Sequence, residues 1–559
     1  MSNLRLPGLG PIVGHTTATS CRIWIRAGDP DDEGAKFAEN RRTIGVAAII
    51  KVGSNKVPKS KAHVQYFRLH REYDRTGTIN LGVEQGLTDT SNPAPLEAGT
   101  AYCVRVATLT VDDPDNQDDT ATNTELADRL PNPKVWYKDL MDLDPERSEA
   151  SFETFPQAAA NLSFIVGSCR YPGMLWKAKR ADTIFGPLRE EAEGRGGRDR
   201  AGFVMMVGDQ IYADTLNRHI PLGLADTYEE FQDRYISAFG SPHMRRLLRA
   251  FPHYMILDDH EIEDNWSQDR LKRAQSRKVF NLAIGAYMSY QWSHGPRNYG
   301  MRLFYDFDCG GYPFFVLDTR TRRFMDEVED TLEDNHLLGR PSVAAEEPSQ
   351  LEVLLHWLKQ SQDQHGNVPK FIVSASVFAP NPIAAREGRK SSNEKQAAKW
   401  KESSDSWPAF PNTRRAILRY IIDNAIQNVI FVSGDIHCSN VAQIELKGSS
   451  AAEELKLASI TSSALYWPFP FADGEPSDYV HDSTASGQED TFDIGDGYSM
   501  DYKAWNFTQE DNFCRVDVDR DNAAIVVRVF DSKGERVKKG SWFGIGGDEI
   551  ESTLQLAPW

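Results

Sequence analysis

Apolar and polar side chains alternate with a period of two through the first 155 residues. The stretches TSCRIWIRAG, AHVQYFRLHREY and TAYCVRVATLTV follow this rule, and turns rich in Gly, Pro and Asp separate them. This period is typical of strands that bury one face. Residues 1–157 are therefore predicted to form a small β-sandwich domain of the fibronectin-III or immunoglobulin-like kind. The acidic insert VDDPDNQDDTATNTELADRLPNP is expected to be a solvated loop.

From residue 158 onwards, apolar runs alternate with amphipathic segments. We expect helices in TYEEFQDRYISAF, SPHMRRLLRAF, QLEVLLHWLKQSQ and NTRRAILRYIIDNAIQN, where apolar residues recur on one helical face. Strands that alternate with helices are typical of a layered α/β domain. The segment RVDVDRDNAAIVVRVFD predicts a closing β-hairpin. Residues 158–559 are thus predicted to form a second domain with a C-terminal β-hairpin.

Composition narrows the range of functions. The 559 residues carry a net charge of −18 without a long basic run, which argues against specific nucleic-acid binding. No apolar run reaches the ~18 residues that a membrane span needs. The opening MSNLRLPGLGPIVG lacks the pattern of a signal peptide, so the expected location is the cytoplasm, or the periplasm or exterior if a leader was removed. The six cysteines show no CxxC pair, and Cys21 and Cys103 are expected to be free thiols rather than a disulfide.

Five predicted strands run directly into polar or charged residues. LSFIV leads into Gly-Ser-Cys-Arg, FVMMV into Gly-Asp-Gln-Ile-Tyr, HYMIL into Asp-Asp-His-Glu, YPFFVL into Asp-Thr-Arg, and NVIFVS into Gly-Asp-Ile-His. Sites in open α/β sheets form at the carboxyl ends of the strands. We therefore expect these distant segments to converge at one edge.

The residue types at these ends favour metal ions. Clustered carboxylates repel one another unless a cation lies between them. Carboxylate oxygens suit Ca²⁺, Mg²⁺ or Mn²⁺, and imidazole suits Fe or Zn. Anionic tyrosinate and thiolate ligands point to Fe³⁺. Asp209 and Tyr212 could bind one ion together, and the second oxygen of Asp209 could bridge to another ion, as in two-metal sites.

Taken together, the motifs GSC, GDxIY, DDHE and SGDxH resemble those of the PhoD-like alkaline phosphatases, a family of the metallophosphoesterase superfamily. The resemblance spans nearly the whole chain. It implies a metallophosphoesterase-type layered β-sheet sandwich flanked by helices, preceded by the small N-terminal β-sandwich. It also implies metal-dependent hydrolysis of phosphomonoesters or phosphodiesters, by a metal-activated hydroxide with a histidine as general acid.

The same resemblance assigns roles to individual residues. It implies that Fe³⁺ and Ca²⁺ are bound, with Mn²⁺ or Zn²⁺ also acceptable at the second site. Ligands of Fe³⁺ would be Cys169, Asp209, Tyr212 and His437. Ligands of the second ion would be Asp209, Asp259, Asp435 and Asn265. His260 would be the general acid and Arg170 a contact to phosphate oxygens.

Several assignments remain open in the sequence. Asp258 could exchange the ligand role with its neighbour Asp259. Glu261 or Glu263 is expected to orient His260, and Arg320 and Arg322 are expected to anchor helices. Trp266, Trp407, Tyr466 and Trp467 could line a substrate pocket or pack in the core. FIVSASVF at 371–378 has serines where a classical VxxH element would carry histidine, which favours Ca²⁺ over Zn²⁺ at the second site.

Two other functions fit the same pattern. One is phospholipase-D-like or nuclease chemistry at the same metal centre, which a panel of lipid, nucleotide and nitrophenyl diesters would separate. The other is a noncatalytic, metal-dependent binding protein, which failure to cleave any activated ester would favour. If the protein is a phosphoesterase, as the resemblance implies, its expected partner is a small-molecule phosphoester.

Overall fold

The three-dimensional structure is a computed structural model of the chain. The stretches that it describes are 4–28, 41–53, 62–84, 86–88, 93–112, 128–173, 179–214, 223–298, 302–325, 335–340, 347–381, 407–469, 482–485, 489–539 and 547–559. The acidic insert of the sequence lies mostly outside these stretches.

Two antiparallel sheets form the first part of the chain. Their strands are β1 (Leu4–Arg5), β2 (Leu9–Thr16), β3 (Cys21–Arg26), β4 (Arg41–Lys51), β5 (His63–Arg68), β6 (Thr76–Leu81), β7 (Ala101–Asp112) and β8 (Glu149–Glu153). One sheet has the order β2–β3–β6, and the other has the order β1–β7–β4–β5 with β8 also paired to β7. The three alternating stretches of the sequence analysis thus contain β3, β5 and β7.

Side chains of both sheets meet in one buried cluster. Ile23 and Ile25 of β3 share it with Val104 and Val106 of β7. In each strand the two residues are two positions apart, because successive side chains of a strand point to opposite faces. The structure joins neither Cys21 nor Cys103 in a disulfide.

Two larger sheets form the rest of the molecule. Their strands are β9 (Leu162–Gly167), β10 (Phe203–Val207), β11 (His253–Ile256), β12 (Tyr305–Cys309), β13 (Tyr312–Val316), β14 (Lys370–Val373), β15 (Val429–Ser433), β16 (Ser439–Lys447), β17 (Leu457–Thr461), β18 (Phe492–Gly495), β19 (Tyr498–Thr508), β20 (Asn512–Asp519), β21 (Ala524–Asp531) and β22 (Glu551–Gln555). The six-stranded sheet has the order β11–β10–β9–β20–β21–β22, and the eight-stranded sheet has the order β12–β13–β14–β15–β17–β16–β19–β18.

The parallel strands of these sheets are apolar on both faces. In β10, Phe203, Met205 and Val207 pack in a cluster with residues of β13, β14 and β15 from the other sheet. Val204 and Met206, on the opposite face, pack in a cluster with helical residues. Burial on both faces explains why FVMMV shows a continuous apolar run instead of alternation.

Helices pack against the N-terminal sheets as well as against the outer faces of the two large sheets. The α-helices are α1 (Tyr137–Asp142), α2 (Pro145–Ser148), α3 (Arg180–Thr183), α4 (Phe185–Ala192), α5 (Tyr228–Phe239), α6 (Pro242–Leu248), α7 (Ala274–Tyr290), α8 (Gln350–His365), α9 (Pro411–Asp423) and α10 (Ser450–Glu453). Short 3-10 turns cover Arg71–Tyr73, Pro133–Trp136, Arg195–Gly197, Gln268–Lys272, Trp292–His294 and Trp407–Ala409.

Local caps set the starts of the helices that the sequence predicts. Before α8, Ser349 Oγ accepts from Glu352 N at 3.3 Å and Glu352 Oε2 accepts from Ser349 N at 2.7 Å, which forms a capping box. Before α5, Thr227 Oγ1 accepts from Glu230 N at 3.2 Å. Helices α6 and α9 begin at a proline, which favours the first helical position. The four helix predictions are confirmed.

The C-terminal hairpin is confirmed, but its place in the fold was not expected. β20 and β21 pair antiparallel from Asn512–Asp531 to Asp519–Ala524. β20 also pairs with β9, so it lies inside the six-stranded sheet and not at its edge. Local periodicity predicts a strand but not its long-range partner, so the sequence did not predict the pairing of β20 with β9.

Three histidines lie where the N-terminal sheets pack on the rest of the chain, and we call His15, His253 and His294 the histidine junction. His253 Nδ1–H donates to Phe251 O at 2.7 Å, and His15 Nδ1 lies 3.1 Å from Tyr254 OH. A Cβ on Gly14 would lie 2.8 Å from the Cβ of His294 and would also strike the His294 carbonyl oxygen. The contact between β2 and the 3-10 turn that contains His294 therefore requires a glycine.

No helix among the described residues has both the length and the hydropathy of a membrane span.

Candidate metal centre

The centre lies at the carboxyl ends of parallel strands from both large sheets. Cys169 follows β9, Asp209 and Tyr212 follow β10, and Asp259 follows β11. β9, β10 and β11 are adjacent and parallel, so their ends lie side by side. Asp435 and His437 follow β15 of the other sheet.

Glycines let these strand ends come close. A Cβ on Gly434 would lie 2.6 Å from Val207 O and would also strike Ser168, so only glycine lets the loop after β15 reach the other sheet. Gly208 has φ +90°, and a Cβ there would lie 2.5 Å from the Cβ of Asp258. Both glycines precede an aspartate of the centre, which explains the repeated Gly-Asp pattern in the sequence.

Backbone strain is concentrated at the same residues. Cys169, Asp209, Asn265, Asp435 and His437 have positive φ angles of 57°, 55°, 56°, 72° and 52°. Side chains with a Cβ rarely adopt this left-handed conformation, and strain of this kind clusters at ligand sites. The strained backbone conformations at these five residues thus set the directions of their side chains.

The first group of possible ligand atoms consists of Cys169, Asp209 and His437. Their Sγ, carboxylate oxygen and imidazole nitrogen all lie within 4.8 Å of one another. Tyr212 OH joins this group, since it lies 3.3 Å from Asp209 Oδ2 and 3.4 Å from His437 Nε2. Thiol, carboxylate, phenol and imidazole therefore surround one point.

Two further groups extend from the first. One consists of Asp209, Asp259 and His260, and the other of Asp258, Asp259 and Asp435, each with ligand atoms within 4.8 Å of one another. Asp209 belongs to the first and second groups, so it is placed to bridge two ions. The backbone N of Asn265 donates to Asp259 Oδ2 at 2.6 Å, which puts Asn265 beside the second group.

In the absence of a cation, burial favours the protonated forms of the groups at the centre. Burial, and after it the neighbouring Asp209 carboxylate, raises the pKa of the Cys169 thiol well above its usual value. Burial likewise raises the pKa of Asp209 and of Tyr212. Asp209 Oδ1 is buried with no hydrogen-bond partner among the described residues, which is costly for a carboxylate oxygen. A cation bound at these donors would satisfy that oxygen and favour the anionic forms.

His260 is held by a carboxylate that the sequence analysis did not name. Its Nδ1 lies 2.9 Å from Asp214 Oδ1 and 3.0 Å from Asp214 Oδ2. The expectation that Glu261 or Glu263 orients His260 is therefore wrong. Burial alone would lower the pKa of His260, but the carboxylates of Asp214, Asp259 and Asp209 raise it well above its usual value.

Glu261 serves the backbone instead. Its carboxylate accepts from the backbone N of Asp209 at 3.2 Å, of Gln210 at 2.7 Å and of Asp258 at 2.8 Å. Burial raises the pKa of Glu261 to about 7, and the Asp258 carboxylate adds to the rise. Glu261 therefore ties the loop after β10 to the loop after β11.

The two arginines near the centre have different surroundings. Arg320 was expected to anchor a helix, but its Nε donates to Asp258 Oδ1 and its terminal nitrogen lies 3.4 Å from Asp435 Oδ2. Arg170 lines a cavity of about 370 Å³ together with Tyr212, and donates to Ser241 Oγ at 3.4 Å. Within the part of the chain that the structure describes, its Nε is buried without a hydrogen-bond partner.

The aromatic residues fall into two groups. Trp266 and Trp407 are fully buried in hydrophobic clusters. Trp467 instead stacks on the His437 ring, with ring centroids 3.6 Å apart and an angle of 12° between the planes. Trp467 thereby restricts the orientation of the imidazole of His437.

Comparison with known proteins defines the family. A family model described as PhoD-like phosphatase matches residues 183–491, which is more than half of the chain. The chain therefore belongs to the PhoD-like phosphatase family. The matched range includes the strand ends that carry Asp209, Asp259 and His437.

Individual relatives agree with this assignment. Alkaline phosphatase D of Bacillus subtilis (strain 168) is 23% identical over 285 residues, which cover 48% of this chain and 46% of that protein. The match thus spans about half the length of this curated relative. A solved structure described as "Structure of PhoD" superposes with a TM-score of 0.62 at 15% identity and covers 98% of this chain and 95% of the other. The two chains share a mixed α/β fold with several sheets.

Proposed function

We propose that this protein hydrolyses phosphoesters at a two-metal centre. Family membership indicates a phosphoester hydrolase, and the residues that converge at the strand ends support a metal-dependent reaction. The observation that carries the proposal is the sharing of Asp209 between two adjacent ligand groups. A bridging carboxylate is the arrangement that holds two metal ions for displacement at phosphorus.

The donor sets favour different ions. Cys169, Asp209, Tyr212 and His437 offer thiolate, phenolate, carboxylate and imidazole, which together favour Fe³⁺. Asp209, Asp259, Asn265 and Asp435 offer only oxygen ligands, which favour Ca²⁺, with Mn²⁺ or Zn²⁺ as alternatives. Bound ions of this kind offset charge on phosphoryl oxygens and make a water nucleophile available near neutral pH.

The chain's own residues supply proton transfer and substrate contacts. His260 donates a proton to the leaving oxygen as the general acid, and the carboxylates of Asp214, Asp259 and Asp209 raise the pKa of its imidazole. Asp214 binds Nδ1 and so directs Nε2 towards the substrate. Arg170, in the wall of the cavity beside Tyr212, donates to a phosphoryl oxygen of the bound ester.

The domain organisation belongs to the same proposal. We assign residues 1–157 to an N-terminal β-sandwich of the fibronectin-III or immunoglobulin-like kind, and residues 158–559 to a metallophosphoesterase-type layered catalytic domain. Sheet membership supports this boundary, because β1–β8 pair only among themselves and β9–β22 form the two large sheets.

A leaving-group series tests the general acid. His260→Ala should slow hydrolysis of alkyl phosphoesters by ~100-fold or more, because an alkoxide needs a proton to leave. Nitrophenyl esters should lose much less, since nitrophenolate leaves without protonation. An equal loss on both ester types would reject the role of His260. If metal-loaded wild-type protein cleaves neither mono- nor diesters with nitrophenyl leaving groups, the hydrolase proposal itself is wrong.

A further inference from the structure

Arg170 is buried beside the centre, and among the described residues its guanidinium makes a single hydrogen bond. A terminal nitrogen donates to Ser241 Oγ at 3.4 Å, and the guanidinium carbon lies 5.8 Å from the centre of the Phe185 ring. Arg170 is only 6% exposed, yet it lines the cavity beside Tyr212. A buried charge is costly unless it is paired, so its partner is expected to be a carboxylate. Here the direct partner is a hydroxyl group.

Ser241 links Arg170 to a carboxylate. Its Oγ lies 2.7 Å from Asp182 Oδ1 and 2.8 Å from Ala238 O. The hydroxyl group has one hydrogen to donate, and a carboxylate oxygen accepts it more strongly than a neutral carbonyl oxygen does. Ser241 therefore donates to Asp182 while it accepts from Arg170. The negative charge acts on the guanidinium through one hydroxyl group.

Asp182 is held in one orientation by the start of α6. Its Oδ2 accepts from His243 N at 2.9 Å, and its Oδ1 accepts from Met244 N at 2.9 Å. These bonds join α3, which contains Asp182, to the first turn of α6. The hydroxyl group of Ser241 makes no capping bond to α6, so it is not needed to begin that helix. Its contacts with Arg170 and Asp182 can therefore be removed without removing the cap.

An indirect carboxylate leaves the guanidinium available to an anion. A direct pair with Asp182 would occupy the planar fork of Arg170 and neutralise its charge. The hydroxyl group occupies one terminal nitrogen, and Nε has no partner in the described part of the chain. The other charged groups that line the cavity are Glu230, Asp233 and Arg234 of α5. Both acidic side chains are exposed, so water and salt screen their charges.

We propose that Ser241 and Asp182 are positioning residues for Arg170, which hold its guanidinium ready for a phosphoryl oxygen without pairing with it directly. The inference rests on the proposed function, in which Arg170 contacts the phosphoryl group. It gives the contact between α3 and α6 a part in substrate binding as well as in the fold.

Binding of inorganic phosphate tests the inference without reference to turnover. We would titrate full-length, metal-loaded protein with phosphate by isothermal titration calorimetry. Arg170→Met should raise the Kd by ~10-fold or more, because it removes a hydrogen bond from a charged group. Ser241→Ala should raise the Kd by a smaller factor of ~3–10, because the guanidinium stays but loses its polar support. Ser241→Thr keeps the hydroxyl group and should bind phosphate as wild type does.

A double variant separates positioning from a purely structural role. If Ser241 acts through Arg170, adding Ser241→Ala to Arg170→Met should not raise the Kd further. The same additional factor in both backgrounds, or a wild-type Kd in Ser241→Ala alone, would overturn the proposal. Ser349→Ala is the control, since it removes the N-cap of α8 and should lower stability without changing the Kd.

Asp182→Asn keeps the inference testable if Ser241→Ala does not fold. This variant keeps the shape of the side chain but removes its charge, and it should raise the Kd for phosphate by a factor similar to that of Ser241→Ala. A wild-type Kd in folded Asp182→Asn protein would overturn the role of Asp182.

The inference and the proposed function fail in different ways. Protein that binds phosphate with the expected variant pattern but cleaves no phosphoester would refute the hydrolase activity and leave the positioning roles intact. Weaker binding in Arg170→Met but not in Ser241→Ala would refute the positioning role alone. A wild-type Kd in Arg170→Met would refute the phosphate contact of Arg170 in the proposed function, and the inference with it.

Discussion

The metal centre and the histidine junction both bury ionisable side chains, but they satisfy them in different ways. At the centre, burial raises the pKa of Asp209, and the chain supplies one guanidinium beside its carboxylates. At the junction, burial lowers the pKa of His253 to about 4 and that of His294 to about 3, where His253 and Arg22 add to the effect. The junction is stable with neutral rings, whereas the centre needs added positive charge.

This difference predicts opposite responses to pH. A carboxyl group whose pKa is raised on folding favours the folded state below its unfolded pKa, and this contribution is lost as the pH rises through the folded value. A histidine whose pKa is lowered on folding contributes fully above its unfolded pKa near 6.5 and loses its contribution as the pH falls towards 4 or 3. Metal-free protein should therefore lose stability at the centre as the pH rises above the unfolded pKa of a carboxyl group near 3.9, and at the junction as the pH falls below 6.5.

The largest expected effect comes from the bridging carboxylate. Asp209→Asn keeps the shape of the side chain but removes the charge shared by two ligand groups. We expect loss of bound metal and a fall in the rate of hydrolysis of more than ~100-fold. This fall is larger than the ~10–100-fold loss that is typical when a residue that only supports a metal ligand is replaced. Elemental analysis and steady-state kinetics measure both.

A surface aspartate provides the control for this variant. Asp363→Asn on α8 removes only an exposed pair with Lys359 and should leave metal content and activity unchanged. A folded Asp209→Asn protein with normal metal content would show that metal binding does not need the charge of Asp209. The contrast between the metal centre and the histidine junction would then no longer hold.

The next effect concerns the partner of His260. Asp214→Asn removes the charge that binds Nδ1, so hydrolysis of alkyl esters should fall by ~10–100-fold. Metal content should stay unchanged, because Asp214 belongs to none of the ligand groups found among the described residues. The ratio of rates on alkyl and nitrophenyl esters measures the effect, and an equal fall on both would show that Asp214 does not act through His260.

A change at the junction should affect stability without affecting metal. Gly14→Ala would place a Cβ against His294 and should lower the free energy of unfolding by about 1–3 kcal/mol. Gly28→Ala is the matched control, since a Cβ there would meet no atom of the described residues within 4 Å, and it should shift stability by less than ~0.5 kcal/mol. Urea unfolding of both variants checks the difference, and equal stabilities would mean that the junction tolerates repacking.

The smallest expected effect is a change in how steeply the free energy of unfolding depends on pH. Replacing His294 with a residue that does not titrate, His294→Gln, should reduce the loss of stability on acidification by up to about 1.4 kcal/mol per pH unit below pH 6.5. Urea unfolding from pH 8 to pH 5 measures this slope. His365→Gln, at an exposed position at the end of α8, should leave the slope unchanged. A wild-type slope in His294→Gln would exclude the junction as the source of acid sensitivity.

The sequence predicted the elements of the fold better than their arrangement. Apolar periodicity identified β3, β7, α5 and α8, because period two and period 3.6 are local properties. It did not reveal that β20 pairs with β9, since strand pairing depends on contacts between residues hundreds of positions apart.

The candidate site shows the same limit at the level of single residues. The pattern of Gly-Asp after apolar runs identified Asp209 and Asp435, and the structure brings both into ligand groups. Nothing in the local sequence distinguishes Asp214 from its neighbours or Arg320 from Arg322, because their roles come from the side chains they meet across the centre. The one signal available was Asp214's place five residues after Asp209, on the same loop.

The pairing of β9 with β20 has a consequence for folding during synthesis of the chain. Ser163 and Asp517, in register across these strands, are 354 positions apart. At a synthesis rate of about 5–20 residues per second, β9 leaves the ribosome roughly 20–70 seconds before its partner exists. Its edge must stay covered during that interval, so nascent chains that stall before residue 512 should be captured by chaperones far more than completed ones.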